Sequence, residues 1–220
     1  MASLTIENYV KAIYQLCAEH DQNTAATGKL AETLAVSPGT VTSMLKTLGE
    51  SGLAEYVPHR GARLTDAGRS LALRVLRRHR LIELFLTHTL KLTWDEVHAE
   101  AENMEHAVSD LLVDRIDAFL GYPASDPHGD PIPKADGTIA AASRQRLVDL
   151  QPGDRFRITR VTEQSPEFLR YLSDAGLPLG AEGVLAARHP EAGTAVLKMQ
   201  ATDATLALDV AERILVEKIG

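Results

Sequence analysis

Carboxylates and imidazoles recur at helical spacing through the middle of this chain, and no fold can bury them without supplying counter-charge. His79 and Glu83 lie four residues apart in one segment; His98, Glu102, Glu105 and His106 follow in the next, with Glu100 beside them. At about 100° per residue, with His98 at zero, Glu102 falls at about +40°, Glu105 at about −20° and His106 at about +80°. One helix face therefore carries two imidazoles and two carboxylates, and a second helix adds one of each. Burying such a set is costly unless something positive is held among its members. A divalent transition-metal ion is the natural choice. Glu100 falls at about 200° and Met104 at about −120° on the same wheel, so both lie off this face.

The distribution of charge supports a local cation site over a generally acidic surface. The chain of 220 residues has a net charge of −7. Residues 1–63 hold five Lys/Arg against six Asp/Glu, and residues 64–92 hold six against two, including Arg74, Arg77, Arg78 and Arg80. Residues 93–136 hold eleven acids against two bases, so acidity is concentrated where the His/Glu face lies. The single cysteine, Cys17, excludes an internal disulfide framework and reads as a small core residue in a reducing compartment. No run of about 18 apolar residues is present, and the N-terminus lacks a basic and apolar leader; a cytoplasmic protein with no membrane partner is expected.

Three short helices open the chain. Apolar residues at spacings of three and four place the first at residues 4–20. The second covers 27–35, with Thr27 as N-cap, and the third begins with Ser37 as cap and Pro38 in the first helical position. A tight link before the third helix is the helix-turn-helix arrangement. Residues 53–65 read as two strands around a turn at His59-Arg60-Gly61, the position of a wing. Long helices then follow at 65–90, 93–107 (capped by Thr93) and from Ser109 to Leu120. The Gly/Pro/Asp-rich stretch 121–137 reads as loop, with His128 solvent-exposed in it. From Val148 the pattern changes to period two, giving five short strands with one helix at 166–175, a small barrel. The expected class is α+β: a winged helix-turn-helix DNA-binding domain at 1–64, a helical metal-binding and dimerisation domain at 65–140, and an SH3-like β domain at 148–220.

The order of these parts, with HRLIE, VHAEAENMEHAVSD and HGDPIP at residues 79–83, 97–110 and 128–133, resembles the diphtheria toxin repressor family across essentially the whole chain. These are metal-dependent transcriptional regulators of iron or manganese homeostasis. The resemblance implies an ancillary metal site on His79, Glu83 and His98, completed from the C-terminal domain by Gln164 and Glu167, with Glu163 as alternate. It implies a primary site on Glu102, Glu105 and His106 with one first-helix donor, which falls on Asn8. Iron-type members carry Cys where this chain has Glu102, whereas manganese-type members carry Glu. Lys11 stands where some manganese-type members place Glu, which argues against a binuclear site of their kind. The longer members' last module is the SH3-like, FeoA-like domain.

Ligand chemistry points the same way. Imidazole and oxygen donors without thiolate suit Mn(II), with Fe(II) next, and Zn(II), Co(II) or Cd(II) as surrogates. For operator DNA, the third helix offers Ser37, Pro38, Thr40, Thr42, Ser43 and Lys46, and the wing offers Arg60. Short hydroxyls and one lysine favour phosphate and methyl contacts over a rich base code. Dimerisation is expected through Val97, Met104, Val108, Leu111, Leu112 and Ile116. Set against this are an exposed i, i+4 pair at His79/Glu83, worth a few tenths of a kcal/mol, and a merely solvated acidic face. The rival functions are a winged-helix regulator answering to a small organic ligand and a di-iron carboxylate enzyme. The second lacks the paired Glu-x-x-His motifs such bundles use. A metal-activated regulator with no organic substrate and no catalytic residues is the expectation.

Overall fold

The computed structural model describes residues 3–19, 24–57, 60–141, 143–200 and 203–220; His59, at the expected wing turn, lies outside them. The chain forms two compact units, residues 1–79 with 133–138, and residues 80–132 with 139–220.

In the first unit, helices α1 (Leu4–Glu19), α2 (Thr27–Thr33) and α3 (Pro38–Glu50) precede a two-stranded hairpin, β1 (Ala54–Val57) and β2 (Gly61–Leu64). Val10, Ile13, Leu30, Val41, Leu45 and Leu48 meet in one buried cluster, as their three-and-four spacing requires. Ser37 caps α3 by accepting from the Thr40 amide at 3.2 Å, and Pro38 opens the helix. At α2 the cap is Ala26, not Thr27, which is the first helical residue. The hairpin registers Ala54 opposite Leu64, and Ala25 bridges Ala62 as a third antiparallel contact. Gly61 makes that contact possible: a Cβ there would stand 2.1 Å from the Ala25 carbonyl oxygen. Thr65 caps the next helix through the Gly68 amide.

That helix, α4 (Asp66–Phe85), begins in the first unit and ends in the second; it is shorter than the period indicates, continuing as a π-helical turn over Leu86–Leu90 that stops at Lys91, φ +61°. The expected helix at 93–107 narrows to α5 (Val97–Met104), because Thr93–Glu96 form a turn in which the Glu96 carboxylate accepts from the Thr93 amide. Glu105 and His106 therefore sit in the turn just past the helix end. Ser109 caps α6 (Asp110–Phe119) as expected. Val97 and Ile116 are buried within the unit, so they supply core and not the docking surface first expected of them; Leu111, Leu112 and Phe119 are the exposed apolar residues of α6.

The C-terminal part is a five-stranded antiparallel sheet in the order β6-β5-β4-β3-β7, from β3 (Arg155–Val161), β4 (Glu182–His189), β5 (Thr194–Met199), β6 (Asp203–Ala207) and β7 (Ile214–Lys218). Bulges at Ile158/Arg160 and Leu185/Ala187 add twist to the SH3-like sheet. Helix α7 (Pro166–Asp174) and the single turn α8 (Leu208–Ala211) cover it, and Phe156, Ile158, Leu169, Leu172, Leu185, Leu197 and Val216 fill its core.

The loop before the sheet is pinned to β3. His128 gives its carbonyl to the Val161 amide at 3.0 Å, and Gly129 packs so closely that a Cβ would lie 2.0 Å from the Thr159 oxygen. Gly129 also has φ +85°, whereas Gly137, φ +83°, has open space around it. Gly129→Ala should therefore cost about 2 kcal/mol or more, and Gly137→Ala only about 1 kcal/mol of backbone strain. Urea unfolding midpoints of the two variants test this; equal losses would contradict the packing argument.

Candidate metal centre

Glu83 organises the charged cluster of the second unit. Its α4 position carries it inward until 1% of the residue remains exposed. One carboxylate oxygen, Oε1, lies 3.2 Å from Nδ1 of His98 on α5. The other, Oε2, lies 3.6 Å from Nδ1 of His128 in the loop after α6. His128 is wholly buried, which overturns its reading as a solvent-exposed loop residue. The reason is local: the Asp126 carboxylate accepts from the His128 and Asp130 amides at 2.8 and 2.9 Å, folding the loop into an Asx-type turn that drives the ring inward. The ring then stacks on Trp94, 6.4 Å between centroids, and its Nε2 donates to the Trp94 carbonyl at 2.7 Å.

That hydrogen bond settles the tautomer. A carbonyl accepts only, so Nε2 carries the proton, and a neutral His128 turns an Nδ1 lone pair toward Glu83. Nδ1 has no hydrogen-bond partner. Glu83, Asp126 and His128 each offer a ligand atom, all within 4.8 Å of one another, and all three are buried. Burial pushes the Asp126 carboxyl up to about 7, with Asp130 and Glu83 adding like charge. For His128 burial pulls the other way, but the facing Glu83 carboxylate outweighs it and raises the imidazole. Two carboxylates facing one ring nitrogen of a buried imidazole are an arrangement that a hard or borderline divalent cation satisfies once that nitrogen is deprotonated.

His98 is oriented similarly. With Nδ1 against Glu83, its Nε2 turns toward Glu102, 3.9 Å away and part-exposed. A carboxylate holding one ring nitrogen frees the other for a metal, the usual outer-shell device. Glu105 is fully buried at the end of α5, with His106 Nε2 at 3.2 Å from its Oε1. Glu100 is exposed, as its helical angle requires.

The remaining candidates are placed as follows. His79, one helical turn before Glu83, has Nδ1 3.1 Å from the Lys11 ammonium nitrogen. Asn8 Oδ1 is buried without a hydrogen-bond partner, an orphaned oxygen of the kind a cation uses. The C-terminal residues are engaged elsewhere: Gln164 donates to Asp130 at 2.8 Å, Glu163 accepts from the Ser165 amide, and Glu167 is exposed beside Arg170. Cys17 packs against the first unit's core, and burial raises its thiol, as suits a structural residue. Sequence reasoning missed Asp126 and His128; the D-P-H-G-D turn chemistry was the available signal. On the DNA side, Ser37, Pro38, Thr40, Ser43, Lys46 and Arg60 are all exposed and Thr42 half-buried, while Arg63 is held by Glu55 across the hairpin at 2.8 Å.

Known proteins resemble the chain over nearly its whole length. Residues 1–62 match the iron dependent repressor N-terminal DNA binding domain, residues 65–134 the iron dependent repressor metal binding and dimerisation domain, and residues 145–218 the FeoA domain. The chain is 30% identical over 227 residues to the iron-dependent repressor IdeR of Mycobacterium leprae (strain TN), covering 98% of this chain and 97% of that protein. It is 31% identical over 225 residues to the diphtheria toxin repressor of Corynebacterium glutamicum, covering 98% and 96%. Among solved structures it is similar to a manganese-dependent transcriptional repressor in complex with manganese, with TM-score 0.88, 38% identity and coverage of 97% and 100%. It is also similar to ScaR with bound Zn2+, with TM-score 0.81, 34% identity and coverage of 97% and 99%.

The Asp126 shift sets a pH dependence of the metal-free protein. The folded chain keeps that proton up to pH about 7, whereas an unfolded Asp loses it near its model value of 3.8. The folded state thus binds more protons between these values, so stability falls as pH rises through that window and levels off above it. Melting temperatures of metal-free protein should decline from pH 5 to pH 8, and Asp126→Asn should flatten the decline. An undiminished slope in the variant would remove Asp126 as its source.

Proposed function

Because the chain belongs to the iron-dependent repressor family, that of the diphtheria toxin repressor, we infer that it is a metal-activated repressor that binds operator DNA as a homodimer in the cytoplasm. It is a regulator, not an enzyme. The observation that carries the metal requirement is the Glu83–Asp126–His128 cluster: two buried carboxylates and Nδ1 of a buried imidazole lie close enough to share one ion.

We assign one ion to Glu83, His98, Asp126 and His128. A second donor set comprises Glu102, Glu105 and His106, with Asn8 as the first-helix donor that the family resemblance implies. Mn(II) is the physiological ion in this reading, with Fe(II) next. The support is Glu102 in place of a thiolate and a donor set of nitrogen and oxygen only, joined by likeness to a manganese-dependent repressor. Zn(II), Co(II) and Cd(II) serve as surrogates. The division of labour follows residues 1–64 for DNA, 65–140 for metal and dimerisation, and 148–220 as the FeoA-like module.

A bound divalent ion supplies the positive charge that lets these carboxylates remain ionised together. The protein does the rest. Glu83 orients His98 through Nδ1, the Trp94 carbonyl fixes the His128 tautomer, and Asp126 shapes the loop that carries it. Operator binding needs the two recognition helices of a dimer about 34 Å apart, and an ion favouring that arrangement shifts the population toward it. Leu111, Leu112 and Phe119 on α6 supply the apolar surface for the second copy. Ser37, Thr40, Thr42, Ser43 and Lys46 face the DNA, with Pro38 setting the helix start and Arg60 reaching a phosphate from the wing.

Fluorescence anisotropy with operator DNA tests the reading. Mn(II) should tighten binding; Glu105→Ala should abolish the response with folding retained, and Glu100→Ala should leave it intact. His128→Ala should lower apparent metal affinity about 10–100-fold. Equal DNA affinity with and without metal would favour a regulator answering to an organic ligand.

A further inference from the structure

One imidazole of the cluster is wired opposite to the others. His98 and His106 stand against carboxylate oxygens, and His128 against a carbonyl, all of them acceptors. His79 stands against a donor. Lys11, from the middle of α1, brings Nζ to 3.1 Å from His79 Nδ1 on α4, within the first unit. Both residues are 5% exposed.

An ammonium has three N–H donors and no lone pair, so the contact runs one way: Lys11 donates and His79 Nδ1 accepts. A neutral imidazole has one lone-pair nitrogen and one N–H. With the lone pair committed to Lys11, Nε2 carries the proton and can only donate. Coordination through Nδ1 requires Lys11 to leave, and coordination through Nε2 with Lys11 in place requires an imidazolate. With Lys11 charged, its contact and metal ligation by neutral His79 therefore exclude each other.

We propose that the Lys11 ammonium is a tethered cation that holds His79 in place of a transition-metal ion, so that this chain binds one metal ion fewer than its clustered imidazoles and carboxylates allow. The lysine stem suits the role: Lys11 is buried, so its methylenes are out of water while its terminal nitrogen reaches the imidazole. Lys11 is thus a determinant of metal stoichiometry. His79, expected from sequence as a ligand, is a structural acceptor for it. The proposal rests on the metal-dependent reading above.

Two measurements test it. In the native protein saturated with Zn(II), a diamagnetic probe, ¹⁵N-edited NMR should show the His79 ring unchanged from the metal-free state, protonated on Nε2. A metal-bound shift on either His79 nitrogen would overturn the proposal without any variant being needed. Native mass spectrometry after loading with Mn(II) should find one more ion per chain in Lys11→Leu than in the native protein, and Lys11→Leu/His79→Ala should lose that gain. A folded Lys11→Leu protein with the native, non-zero metal count would overturn the tethered-cation role alone. Absence of bound metal in the native protein and the variant would overturn the metal-dependent reading with it.

Discussion

A carboxylate taken out of water must meet polar partners, and Glu83 meets an imidazole on each of two sides. His98 approaches one oxygen and His128 the other, from elements far apart in sequence. Around this group the second unit is arranged: α4 delivers Glu83, α5 delivers His98, and the loop after α6 delivers His128 with Asp126. The second buried carboxylate, Asp126, has Arg80 Nε 3.6 Å away, yet burial, and after it the Asp130 and Glu83 charges, pushes it up to about 7, a mark of the repulsion left in the metal-free cluster. A cation with higher charge than a proton resolves it better, which is why ion supply can control the state of the protein.

The loop that carries Asp126 and His128 is also the seam to the β module within the same unit. Asp130 is gripped by Arg160 at 2.6 Å and by Gln164 at 2.8 Å, while Arg80 of α4 donates to the Pro131 carbonyl at 2.6 Å. The Asp126 and His128 side chains are consequently positioned by hydrogen bonds and by the close Gly129–Thr159 contact, not by helical repeat. A loop built on such contacts is pre-organised for the metal site proposed above, since its donors need little reordering.

Much of this was legible beforehand. Helical spacing alone put Glu102, Glu105 and His106 on one face and Glu100 off it, because side-chain direction in a helix follows residue number. The Ser37-Pro38 start of α3 and the wing strands followed from cap and turn chemistry, and the resemblance supplied the architecture. What escaped had a common cause. Asp126 and His128 lie in a loop, where no period links position to burial, and a Pro/Gly-rich composition normally means solvent. Glu105 and His106 proved to lie beyond the helix end, yet the Glu105 amide still bonds the Ala101 carbonyl, so the helical angle held.

By itself the sequence determined which groups carry charge and where helices begin, and raised the expectation of a cation among residues 79–106, since these depend on residue type and local spacing. Only the tertiary structure decided which nitrogen of each imidazole is available. His128 and His79 are the same side chain, yet one meets a carbonyl through Nε2 and turns Nδ1 toward carboxylates, while the other turns Nδ1 toward the Lys11 side-chain nitrogen. That choice is made by the partner across a long-range contact, and no local pattern encodes it.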